Sequence, residues 1–516
     1  MGERTPQRLR VHRFGDGDPL ANLPRCDQVD YLRCYLHDLQ AVWVLEEPFY
    51  FDRDYLASFK AFYGDSPRGY ENACARLTFF SPLEGERELR ADLEAACGND
   101  EAAQQRLQEA FLGFCVVRPI PAKLGRTVVA WYPDDKEDHP KRVIAPCRSY
   151  AVNIAGVQLC VSGLAWQQQD TNVAACATIG IWTMMQSSGF QDRLALPTTA
   201  SITEAAHRTA SLGERIFPTA GLLNHHMLEA IKEHGLAPLS IDGDLDDGHG
   251  PTFSVARFSA TCASLLRSGF PVLIIGRRGD EGHVMCAVGF RPSAPASLES
   301  GDTREEDREL ISLYVHDDAL GANVRFRVDV DEDEPHSAVL LAHAPASRNG
   351  DRPVADPTAE VAPFLPRHVV VAVVPEVRVS PDVLHRRGYA IAAELSTQIM
   401  GIDPSQRPDK AGVRFGVTTI LLSSYLREVL ASTVRDGKPL ERARLDLMEC
   451  VPPMSLYVAV VRVSIAGVPV LDVLFDTTDP TDSLDPFAHV VLDSELAWLL
   501  DSAELVLGVR VQAFVT

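Results

Sequence analysis

Residues 166–186, WQQQDTNVAACATIGIWTMMQ, decide how the rest of the chain is read. A polar, glutamine-rich stretch gives way at Cys176 to apolar and small residues, in a run long enough for a buried helix. A cysteine at a helix N-terminus faces the positive end of the macrodipole, which favours thiolate over thiol. The small neighbours Ala174, Ala175 and Ala177 leave room for a substrate backbone to approach. Thiol catalysis also needs a base and a group that orients it, so both are sought downstream.

A helix led in by Pro218-Thr219-Ala220-Gly221-Leu222 carries Met227, Ile231 and Leu236. Residues 265–276, LLRSGFPVLIIG, read as a helix end, a turn at Ser268-Gly269 and a buried strand. Residues 282–290, GHVMCAVGF, read as a strand with His283 at its mouth, and residues 310–321, LISLYVHDDALG, as a strand ending in Asp317 and Asp318. If the two strands are antiparallel neighbours, His283 comes beside Asp317. The acid then fixes the imidazole tautomer while the other ring nitrogen faces the thiol. Asp318 takes that place if the register is off by one. Cys286, three positions along from His283, faces the opposite side and belongs to the core. The order Cys, His, acid excludes the α/β-hydrolase scheme, which needs the acid before the histidine and a GxSxG elbow.

With these motifs together, residues 158–325 resemble a papain-like cysteine peptidase, of the bacteriocin-leader-processing type of bacterial peptidase domain. The resemblance lies in the Gln before a helix-opening Cys, the Gly-Leu helix, the GxPVL-like strand, and the GHxMxxVGF strand followed by a YVHD strand end. It implies Cys176 as nucleophile, His283 as general base and then acid, and Asp317 as orienter. It also implies a glutamine that donates to the oxyanion. Asp170 stands where such peptidases carry that glutamine, so the role passes to Gln169, to Gln168 one place further back, or to a backbone amide. Ala177 stands where Gly or Trp is common. The gap from His283 to Asp317 is longer than usual, and the polar insertion at 291–309 accounts for it.

Composition narrows the remaining possibilities. The 516 residues suggest two to four domains. Lys+Arg number 49 against 71 Asp+Glu, a net charge of -22, which argues against nucleic-acid binding and against an anionic membrane surface. No apolar run is long enough to span a membrane, and the N-terminal stretch lacks the apolar core of a signal peptide. The expected location is the cytoplasm. Eleven cysteines, an odd number with no CxxC pair, fit neither a disulfide framework nor a structural zinc site. Asp242-Gly243-Asp244-Leu245-Asp246 imitates a calcium loop, but Asp247 holds the required glycine position and Phe253 that of the bidentate Glu. Asp329, Asp331 and Asp333 read as charges guarding a strand edge, and His225-His226 as surface residues. No metal and no cofactor is expected.

The chain divides into residues 1–145, 146–343, a Pro-rich linker at 344–366, and 367–516. Asp134 to Pro140 and residues 291–309 read as surface loops, the latter as a mobile insertion. Ser380-Pro381 opens a helix, Asp100 caps another, Asp52 to Tyr63 forms a third ended by Gly64, and residues 456–476 form a hairpin turning at Ala466-Gly467. The expected fold is α+β: a papain-like core with the catalytic helix against an antiparallel sheet, flanked by two α+β domains that select a substrate or partner protein. The expected function is a cytoplasmic cysteine peptidase acting on a protein or peptide. A transglutaminase or acyltransferase, an isopeptidase, and a catalytically silent papain-fold interaction module are the alternatives.

Overall fold

The computed structural model describes residues 9–512 apart from 86, 133–139, 171–175, 191–193, 209–221, 247, 249, 295–296, 332–335, 344–357, 359–360, 404, 406–410, 430–440, 451–454, 479–484 and 494–506. Residues 134–139, 174–175, 218–221, Asp247, Asp333 and most of the Pro-rich linker thus lie outside the described residues.

Strands β1 (Arg10–Arg13), β2 (Trp43–Tyr50), β3 (Cys74–Phe80), β4 (Phe111–Val117) and β5 (Leu124–Val129) form an antiparallel sheet in that order. Its connections hold α1 (Asp27–Asp38), α2 (Arg53–Ser58), α3 (Leu89–Cys97) and α4 (Glu101–Ala110). Asp52 and Asp100 start α2 and α4, each accepting hydrogen bonds from two backbone amides of the first turn. The expected helix to Tyr63 widens to a π turn over Phe59–Tyr63 before Gly64. Then come β6 (Val143–Ile144), the hairpin of β7 (Arg148–Ile154) and β8 (Val157–Gly163), and α5 (Cys176–Met184). Next are α6 (Thr199–Ala206), α7 (Asn224–Glu233), β9 (Ala237–Asp242), the short ladder of β10 (Leu245–Asp246) with β11 (Pro251–Thr252), and α8 (Val255–Arg267).

The central feature is a six-stranded barrel. It is built from β12 (Val272–Arg278), β13 (Glu281–Pro292), β15 (Leu310–Asp317), β16 (Gly321–Val330), β17 (Ala338–His343) and β18 (Phe364–Val373), with β14 (Thr303–Glu305) lying outside it. β18 pairs with β17 at one point and with β12 along its length, which closes the ring. The closure depends on Gly276, where a Cβ would fall 2.0 Å from the Leu365 carbonyl oxygen. The molecule is therefore mixed α+β.

The C-terminal part packs α9 (Pro381–Gly401) on a sheet of β19 (Val413–Leu421), β20 (Tyr457–Ile465), β21 (Val468–Asp476), β22 (Pro486–Val491) and β23 (Val509–Gln512). α9 starts at Pro381 after Ser380, and β20 and β21 form the expected hairpin.

Four expectations change. The linker at 344–366 separates two domains in the sequence reading, yet β18, which begins at Phe364 within it, closes the barrel, so the boundary at residue 343 cuts through one sheet. The N-terminal sheet shares a continuous hydrophobic core with the barrel, from Leu36 and Phe79 to Phe326 and Val370, so residue 145 marks no break in packing. The insertion at 291–309 is not a free loop: β14 pairs in parallel with β19 and forms the edge of the C-terminal sheet, and Leu298 is buried. Its polar residues are used in that docking, for Ser300 Oγ accepts from the Ala411 amide at 3.2 Å. Last, of the two adjacent histidines only His225 is exposed. His226 is buried, its Nδ1 accepting from the Leu223 amide at 3.3 Å, because it lies on the inner face of α7.

The acidic run after β9 is spent on local structure. Asp242 bonds His368 Nδ1 at 2.8 Å, Asp244 takes the Ser254 amide and hydroxyl, and Asp246 takes the Gly248 amide. No helix among the described residues is long and apolar enough to cross a membrane.

Candidate active site

Cys176 is the first residue of α5 and is half-buried. The rest of the helix, Ala177–Met184, is buried, which anchors it against the barrel. Gly180 sets the approach: a Cβ there would lie 3.1 Å from Leu273 and 3.4 Å from Val284, on the β12–β13 hairpin. α5 therefore lies directly on the strand that carries His283.

That hairpin turns through Gly279-Asp280, with Gly279 at φ +59°. β13 then runs antiparallel to β15, pairing Cys286 with His316 and Ala287 with Val315. This register sets His283 beside the end of β15. His283 Nε2 donates to Asp317 Oδ1 at 3.0 Å, and the Cys176 side chain lies near enough to the same ring to help raise its pKa. With Nε2 taken by Asp317, Nδ1 is the nitrogen left for the thiol.

The Asp317 carboxylate is fully buried and has three donors. His283 and the Ala319 amide (2.9 Å) bond Oδ1, and Arg278 bonds Oδ2. Burial alone would raise its pKa, but the His283 and Arg278 charges hold it well below the usual carboxylate range. Burial alone would lower the His283 pKa. The Asp317 charge, its hydrogen bond, the Cys176 contact and Asp318 outweigh that and raise it to about 10. The raised value favours the protonated ring at neutral pH, next to Cys176.

Neighbouring elements hold the acid-bearing turn in place. Trp166 Nε1 donates to the Asp317 carbonyl at 2.9 Å, and His316 Nε2 to that of Leu164 at 3.0 Å. His316 Nδ1 accepts from the Asn323 amide. Burial lowers the His316 pKa to about 4, so this histidine is a neutral brace. From α1, Tyr31 covers Gly321, where a Cβ would come within 2.3 Å of the ring, and Gln28 Nε2 donates to the Asp318 carbonyl at 3.1 Å.

The glutamines separate by their bonding. Gln168 is committed to β5: its Oε1 accepts from the Leu124 amide at 3.2 Å and its carbonyl from Arg118 at 2.9 Å. Gln169 is half-buried, and its side chain makes no hydrogen bond among the described residues. Cys286 is fully buried, and burial pushes its thiol pKa up. The acid ambiguity separates too, since Asp317 is hydrogen-bonded to His283 and Asp318 lies 3.8 Å from it.

No protein-family model matches the chain, and no curated protein matches it. The site therefore stands on its own geometry.

Sequence reading missed Arg278. The signal was an arginine closing the strand before the histidine strand, where a tight hairpin turns it back toward the site. One atom each from His283, Asp317 and Asp318 lies within 4.8 Å of the others, a spacing a divalent cation tolerates. Arg278 already supplies a cation to Asp317, however, and the His283 proton fills the 3.0 Å gap. The cluster fits an acid–base network better than a metal centre.

Cavities of about 510 and 320 Å³ lie elsewhere, between α8, β14 and the C-terminal sheet. The smaller one is lined by Ser264, His385 and Glu305, with Ser264 Oγ 3.3 Å from His385 Nε2 and His385 Nδ1 bonded to Glu305. The array looks like a Ser-His-Glu relay. Yet Ser264 sits within α8 with its hydroxyl on the Thr261 carbonyl (3.0 Å), where helical amides are already bonded and supply no oxyanion donors. It joins α8, β14 and α9 across the junction.

Proposed function

We propose that the chain is a cysteine hydrolase of papain-like architecture, acting as a peptidase on a protein or peptide. The observation that carries this reading is the contact series from Cys176 at the start of α5, through the His283 ring, to Asp317. A helix opening on a cysteine, packed on a barrel strand that bears the histidine, supports the papain-like comparison. In this reading the Cys176 thiolate attacks the carbonyl, and the Cys176 amide and Gln169 side chain hold the oxyanion. The His283 imidazolium protonates the leaving amine. Water then attacks the acyl-enzyme with His283 as base, Asp317 holding the ring throughout.

Competitive alkylation tests the reading. Burial raises the thiol pKa of Cys74 and of Cys115 to about 12, and it also pushes up Cys262 and Cys286; thiols held protonated react slowly. Iodoacetamide at pH 7 should therefore modify Cys176 first, as mapped by peptide mass spectrometry. Cys176→Ala and His283→Ala should each abolish cleavage of proteins that the wild type processes. Equal labelling of several cysteines, or a slow Cys176, overturns the reading.

A further inference from the structure

Two carboxylates flank His283 Nε2, and their surroundings differ sharply. Asp317 receives three donors. Asp318 is 3% exposed, its Oδ1 stands 3.8 Å from His283 Nε2, and among the described residues neither of its oxygens takes a hydrogen bond from another residue. Its backbone carbonyl is anchored by Gln28 of α1, so the residue is fixed where it stands. A buried carboxylate without donors is costly, and a proton relieves that cost.

We propose that Asp318 is a second positioning residue of this site: its undonated carboxyl beside His283 Nε2 gains and loses a proton while Asp317 stays ionised, and so sets how firmly the imidazolium facing Cys176 keeps its proton. The inference rests on the reading of Cys176 and His283 as a thiolate–imidazolium pair. The charged groups facing Asp318 are His283 on β13, Asp317 on its own turn, and Arg278 at the end of β12; α1 offers the neutral Gln28 amide. Burial raises the Asp318 pKa, His283 and Arg278 oppose the rise, and the Asp317 charge adds to it, leaving the carboxyl at about 7. Below that pH the imidazolium has one anion beside it. Above it, once the Asp318 proton has gone to solvent, it has two. The two acids thus divide the work, Asp317 fixing the ring and Asp318 tuning the charge.

The test follows the His283 imidazole nitrogens by NMR across pH 5–11 in 15N-histidine-labelled full-length protein, with His283→Gln for assignment. The wild-type His283 signal should show a small inflection near pH 7 from its neighbour, well below its own deprotonation. In Asp318→Asn and Asp318→Leu, two neutral replacements of similar size, the inflection should vanish. The deprotonation of His283 should also move down by about one pH unit, a tenfold weaker hold on the proton. A merely structural residue would leave this profile unmoved. A wild-type signal without the neutral inflection overturns the proposal, as does an inflection that persists in either folded variant. The function reading is tested separately, because iodoacetamide selectivity for Cys176 should survive in both variants. If that selectivity is lacking in the wild type, the thiolate–imidazolium reading fails, whatever the NMR profile.

Discussion

Asp317→Asn places the heaviest demand on the site as described. The carboxylate serves three donors with two oxygens: His283 Nε2 and the Ala319 amide on one, Arg278 on the other. An asparagine has one acceptor oxygen. Whichever way its amide is turned, an NH2 group faces either the imidazolium or the guanidinium, and a buried cation loses its partner. Removing one member of a buried pair costs about 3–5 kcal/mol. At 1.36 kcal/mol per tenfold, amides of β13 and β15 should exchange with solvent on the order of 10²–10⁴ times faster. Turnover should fall on the order of 10²–10⁴-fold, since the ring loses both its orientation and the charge that favours its protonated form. The pH dependence follows from both partners. The lowered Asp317 pKa gives stability that is present above about pH 4 and lost in stronger acid. The raised His283 pKa gives stability that is full below about 6.5 and lost as pH rises through about 10. The gap between wild type and variant should therefore be widest near pH 5–6 and narrow toward both ends. Hydrogen exchange with mass spectrometry, run alongside a turnover assay, reads both effects. An Asp317→Asn protein that exchanges and turns over like the wild type refutes the reasoning; so does a result in which Asp318→Asn is the change that abolishes activity.

Asp318→Asn should act on stability with the opposite sign. The folded-state pKa of Asp318 is raised to about 7, so its ionisation costs stability above that pH and nothing below the ordinary carboxylate range. Thermal melts should show the variant more stable than wild type at pH 8 and equal to it at pH 4. Deleting residues 297–305 removes β14 and the buried Leu298. That should lower the melting temperature and expose the junction of barrel and C-terminal sheet to protease, whereas an unchanged melt would return the segment to the status of a loop.

The sequence was most legible where local pattern and chemistry agree. The run after Cys176 is apolar on every side, and a helix buried on every side is what forms. GHVMCAVGF and LISLYVHDD are dense in buried-strand residues, and their antiparallel pairing puts His283 near Asp317. Local pattern does not name a strand's partner. The apolar run at 368–374 reads as a strand, but the strand that forms starts at Phe364, inside the expected linker, and its partner β12 lies some ninety positions earlier in the chain; no local periodicity carries that information. β14 is three polar residues, Thr303-Arg304-Glu305, which look like strand only once β19 is beside them. Arg278 enters the site through a hairpin turn, and the difference between Asp317 and Asp318, both offered by the sequence, lies in which one has donors, a tertiary fact.

That non-local closure decides what can be cut from the chain. The segment 146–343 holds Cys176, His283 and Asp317 and reads as a self-sufficient peptidase domain. It lacks β18, however. Without β18, β12 and β17 present unpaired edges, and β9 loses the strand it pairs with, which invites edge-to-edge aggregation. β18 also buries Phe364, Val369, Val370, Val371, Ala372 and Val373, each at most 1% exposed. At about 1.5–3 kcal/mol for each large side chain, this burial is worth on the order of 10 kcal/mol, comparable with the net stability of a typical domain. The same segment lacks α1, whose Gln28 and Tyr31 support the turn after Asp317. Residues 146–343 produced alone should therefore be insoluble or lack cooperative melting, while a chain of residues 9–374, keeping the N-terminal sheet and β18, should recover soluble material with selective alkylation at Cys176. A monomeric, cooperatively melting 146–343 fragment with a reactive Cys176 would show that the barrel closes without its sixth strand, and that the shared core contributes less to the site than its burial implies.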